Sequence, residues 1–103
     1  MKTIRDCFGQ AVRLTDERMA HILEHTEMIG MSMEIENVLT KPHTVRRSRS
    51  DGTVKLFYEY YAQTIVGGKW LCVVVKCLQD DAFVVTAYLT DKPKTGENLW
   101  PIS

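Results

Sequence analysis

A chain of 103 residues, 45% hydrophobic and 25% charged, has the length and make-up of one soluble globular domain. Its net charge of zero excludes wholesale electrostatic attraction to nucleic acid, and no apolar run approaches the roughly 18 residues of a membrane span. The N-terminal MKTIRDCFGQ has no apolar signal core, and three cysteines make no disulfide framework, so a cytoplasmic location is expected.

Ile4 to Leu14 reads as two brief extended pieces turning at Gly9-Gln10. Thr15 is a good helix N-cap, with Asp16 and Glu17 in the first turn, and predicts a helix over about Asp16–Met28. Gly30 breaks it. A second helix follows over about Ser32–Leu39, ending before Pro42. The period then changes to two. Strands are predicted over Thr44–Ser50 and Val54–Thr64, and a hairpin over Trp70–Asp91 turns at Gln79-Asp80-Asp81. After Asp91 the chain is rich in Lys, Pro and Gly, an extended tail whose Trp100 packs back onto the body. Helices followed by four strands on short turns describe a single α+β domain, residues 1–103, with an antiparallel sheet.

Alternation assigns faces within the hairpin. Leu71, Val73, Val75 and Cys77 share one face, and Trp70, Cys72, Val74 and Lys76 the other. On the second strand Phe83, Val85, Ala87 and Leu89 oppose Val84, Thr86, Tyr88 and Thr90. The economical arrangement sets an apolar face against the helices and leaves a mixed face carrying Lys76, Thr86 and Tyr88. A lysine on a central strand adds nothing to stability, so the mixed face is where function is expected.

The zero net charge conceals a stripe. Lys41 to Lys55 holds Lys41, Arg46, Arg47, Arg49 and Lys55 against Asp51 alone, a local net of +4. Arg46 and Ser48 share one face of the predicted strand, and Arg47 and Arg49 the other. An arginine fork on a strand suits phosphate, although charge also guards solvated edge strands. Tyr58 and Tyr60 share a face of the next strand, and Phe57 and Tyr61 its opposite. Aromatics can stack bases, and equally can be plain core.

His21 and His25, four apart, would share a helix face. The residue after His21 is Ile22 rather than the Glu of a zinc protease, and no third ligand follows, so no metal is expected. General acid–base work or a simple surface role remains for them. A polar, cationic cleft bordered by histidines, with no cofactor, fits RNA cleavage by the substrate's own 2′-hydroxyl. That reaction needs a base, an acid and fixed cations for the phosphorane.

The series VRLTDERMAHILEHTEM, PHTVRRSRSDGTVKLFYEYY, KWLCVVVK and FVVTAYLTDKPKTGENLW spans Val12 to Trp100. It resembles the phage-associated branch of the barnase/EndoU/colicin/RelE-like nucleases. It departs from that pattern at Thr26, where the family usually has Pro, and in its near-neutral pI of about 6.8. The resemblance implies two N-terminal helices packed on a four-stranded antiparallel sheet. It also implies a metal-independent, cofactor-free endoribonuclease acting on mRNA or tRNA, as a mobile-element nuclease or a toxin held by a cognate, small acidic antitoxin. Carried onto this chain, the catalytic positions are His21, His25, Arg47, Ser48, Tyr58, Lys76, Thr86 and Tyr88. His21 or Tyr88 would serve as acid or base, and Arg47 and Lys76 would hold the phosphate. Arg46, Arg49, Lys55 and Tyr60 would contact RNA. The alternative reading is a non-catalytic RNA- or protein-binding module.

Overall fold

In the computed structural model, which describes residues 1–102, the two brief extended pieces are real strands, β1 (Lys2–Arg5) and β2 (Ala11–Leu14). The buried Asp6 shapes the turn between them, its Oδ1 accepting the Phe8 and Gln10 backbone N–H at 2.9 and 2.8 Å. Gly9 takes the left-handed φ of +83° that this turn requires.

Helix α1 (Asp16–Leu23) begins as expected, the Thr15 hydroxyl accepting the Arg18 N–H at 3.0 Å. It is shorter than its apolar spacing predicts. The chain leaves the helix at Glu24, and Thr26–Met28 form a separate 3₁₀ turn. Helix α2 (Ser32–Thr40) follows and buries Ile35, Val38 and Leu39. The main strands are β3 (Thr44–Arg47), β4 (Val54–Thr64), β5 (Gly67–Leu78) and β6 (Asp81–Thr90), with a short β7 (Asn98–Trp100) at the end.

All seven strands form one sheet in the order β1-β2-β6-β5-β4-β3-β7. The expected four-stranded antiparallel sheet behind two N-terminal helices is therefore wrong in strand number, in element order and in direction. The β1–β2 hairpin precedes the helices and docks on β6 in parallel, at Arg13 opposite Phe83. The tail adds β7 antiparallel to β3. Two bonds from the guanidinium of Arg13 to the Asp81 carboxylate, at 2.8 and 2.6 Å, clamp the parallel junction. Four-residue strands carry too little alternation to announce sheet membership, and their pairing is settled by distant partners.

The helices cover one face. Ile22, Met28, Ile35, Val38 and Leu39 pack with Val45, Phe57, Leu71, Val73 and Val75, all at most 1% exposed. Leu56, Tyr58, Trp70, Cys72, Val74 and Tyr88 cluster on the opposite face. The β5 face assignment from alternation is thus realised, but that of β6 is not. A bulge between Val74 and Val75 pairs Val74 with Thr86 and Val75 with Val84, leaving Val85 extra. Beyond it every β6 side chain changes face. Val84 and Ala82 enter the helix-side core, and Phe83 pairs with Lys76 instead of joining Ala87 and Leu89.

Candidate functional site

The face away from the helices is crossed by the segment between β6 and β7. Residues 91–97 leave β6 at one side of the sheet and reach β3 at the other, forming a strap. The Lys94 backbone N–H donates to the Tyr58 hydroxyl at 3.1 Å, and Arg46 Nη1 donates to the Lys94 carbonyl at 2.8 Å. Further on, Arg47 N–H donates to the Glu97 carbonyl at 2.9 Å, and Arg47 Nε meets Glu97 Oε1 at the same distance. Gly96 lies so close to β3 that a Cβ there would come within 2.5 Å of the Arg47 carbonyl oxygen.

Beneath the strap, Tyr58 and Cys72 are fully buried. Burial pushes the Tyr58 hydroxyl up to about 12, despite the opposing Lys94 N–H. Burial raises Tyr88 as well, with the Cys72 thiol a secondary cause, and burial also raises Cys72 itself. Phenols in this condition hold their protons near neutral pH, so neither tyrosine can be a general base there.

Beside the strap runs a groove of about 630 Å³, floored by Leu56 and walled by Ser48, Arg49 and Ser50 on one side and by Thr90–Thr95 on the other. Its cations are Arg49, Lys92 and Lys94, all exposed. Among the described residues no carboxylate pairs with any of them. Arg49 Nη1 reaches only the Thr95 hydroxyl, at 3.3 Å. The single carboxylate in the wall, Asp91, is bound by Lys69, which holds it below its usual range. At the next row of the sheet Lys76 Nζ contacts Asp51 Oδ2 at 2.8 Å. Lys76, with the Thr53 hydroxyl and N–H, keeps Asp51 well below the usual carboxylate range.

The face away from the helices gathers eight of the twelve residues singled out from sequence. Tyr58, Tyr60, Lys76, Thr86 and Tyr88 lie there by register, as does Arg46 opposite Leu56, while Ser48 and Arg49 line the groove. The other four are elsewhere. Arg47 and Lys55 pair across β3 and β4 toward the helix side, where Lys55 Nζ lies 4.3 Å from the Phe8 ring centroid. His21 is on the exposed side of α1, with Glu24 at 3.4 Å, and His25 lies past the end of α1 at the 3₁₀ turn. The expected shared helix face of the two histidines does not exist, and the sheet separates them from the strap. Lys92 and Lys94 were not anticipated. The K-P-K spacing of the tail was visible, but only the crossing of the strap sets it opposite Arg49.

Among the described residues, no three His, Cys, Asp or Glu side chains converge as metal ligands, and no helix is long and apolar enough to cross a membrane. Comparison of the chain with protein-family models, with curated proteins and with solved structures gives no match. None of the three identifies a nuclease superfamily.

Proposed function

We propose that the chain binds RNA along the strap groove by its phosphates, without cutting it there. The observation that carries this reading is the charge balance of the groove. Arg49, Lys92 and Lys94 converge on one concavity with no carboxylate of their own, and Asp91 is taken up by Lys69. The hydroxyls of Ser48, Ser50 and Thr95 supply neutral donors beside the cations. A locally cationic concavity on a chain of zero net charge attracts a polyanion to one place rather than everywhere.

Transesterification needs more than cations. His21 and His25 are on the far layer, Lys76 is paired with Asp51, and Tyr58 and Tyr88 hold their protons and so cannot take one from a 2′-hydroxyl. Of the three histidines His43 alone lies on the strap face, beside Trp70. Phosphate contact by Arg49, Lys92 and Lys94 needs neither an acid nor a base, so binding is the reading these cations support best.

The test is titration of a labelled single-stranded RNA over a range of salt, in EDTA. Three phosphate contacts give a log–log slope of about −2. The combined Arg49→Ala, Lys92→Ala and Lys94→Ala variant should lose nearly all of that slope, whereas His21→Ala should bind as the parent does. Unchanged binding by the triple variant would overturn the groove. In the same samples the RNA should remain intact. Fragments ending in 2′,3′-cyclic phosphate would restore the toxin reading, in which an acidic antitoxin would cover this groove.

A further inference from the structure

We infer that the ligand of the groove is single-stranded, because a base-stacking platform adjoins it. The inference rests on the RNA-binding reading above. On the same face, Tyr60 and Trp70 are directly opposed across β4 and β5, and Trp70 is opposed in turn by Thr90 of β6. Thr90 also lines the groove. Neighbouring strands lie about 4.8 Å apart, so Trp70 stands one strand from the groove wall.

Three rings meet at this place. Trp70 lies 5.6 Å from Tyr60 at an interplanar angle of 66°, and 5.3 Å from His43 at 65°. Both contacts are edge-to-face, which occupies at most one face of one ring in each pair. Tyr60 is 48% exposed, and His43 is exposed as well. Trp70 is half-buried against the Leu56, Tyr58 and Cys72 cluster, so Tyr60 and His43 are the more open rings of the three. Gly68 contributes by absence, since any side chain there would collide with the Tyr60 hydroxyl. The ring is thereby free to lie against the β4–β5 hairpin.

Aromatic faces beside a cationic groove are the two elements of recognition for unpaired nucleotides, the rings taking bases and the cations taking phosphates. A duplex hides its base faces and could use only the groove. A protein partner would be recognised by the exposed rings without need of the unpaired lysines, which is why the observations favour the nucleotide.

The experiment compares a short oligouridine with an abasic oligonucleotide of equal length, which has the same phosphates and no bases. The full chain should bind oligouridine about tenfold more tightly, with quenching of tryptophan emission by that ligand only. Tyr60→Ala and Trp70→Leu should each shrink this advantage while leaving the abasic affinity unchanged. Equal binding of both ligands, with both variants silent, would overturn the platform and leave the groove standing. Binding of neither would overturn the groove together with the platform.

Discussion

At the scale of single residues, Tyr58 ties the strap to the sheet. It pairs with Thr44 on one side and Cys72 on the other, fully buried, and its hydroxyl accepts the backbone N–H that pins the strap. Tyr58→Phe leaves that N–H without its acceptor at a cost of about 1 kcal/mol. The loss should be read in urea unfolding, together with faster hydrogen exchange at Lys94. Wild-type exchange there would mean that Tyr58 does not hold the strap. Lys76, a lysine inside an apolar strand, sends its ammonium to Asp51 at the strand end. Its aliphatic stem covers the sheet while the charge stays half-exposed.

At the scale of elements, two local departures from ideal geometry decide what faces what. The bulge at Val74/Val75 turns Val84 into core and sets Phe83 on the Lys76 side. The strap then converts an open sheet surface into a groove, and its closest approach is at Gly96. Gly96→Ala would push a methyl group onto the Arg47 backbone carbonyl, which belongs to a paired strand and cannot swing aside as a side-chain tip could. The expected cost is about 1–3 kcal/mol. A lower urea midpoint with weakened RNA affinity is the expected result, and unaltered stability would place the strap farther from β3 than described. By contrast, Gly68→Ala meets only the end of the Tyr60 side chain.

For the whole molecule, the buried thiols and phenols set an alkaline limit. Burial raises Cys7 from its ordinary 9.0 to about 11, and Tyr58 from 10.0 to about 12, with Tyr61, Cys72, Cys77 and Tyr88 moved in the same direction. The folded chain then holds protons that the unfolded chain has released, so stability falls as pH rises. It should be complete below about pH 9 and decline from there through about pH 12, with urea midpoints measured across that range. Constant midpoints up to pH 11 would show that these groups are open to water.

What the amino-acid order determined by itself is local. Thr15 with Asp16 and Glu17 started a helix where expected. The β-branched and aromatic run of Val54–Thr64 made a strand with those bounds, and alternation along β5 separated Leu71, Val73 and Val75 from Trp70, Cys72 and Val74. These features depend on neighbours one to four residues away, and such interactions are written in the order of residues. The tertiary structure alone decided that β1, β2 and β7 complete the sheet, that β2 runs parallel to β6, that a bulge reverses β6, and that Lys92 and Lys94 stand opposite Arg49. Those outcomes depend on pairings between segments up to 70 positions apart, such as Arg13 with Phe83, and on packing that a four-residue strand does not encode. His21 and the strap are likewise near or far only through the sheet between them. A site assembled from a turn, a strand face and a strap exists only once the chain has closed on itself.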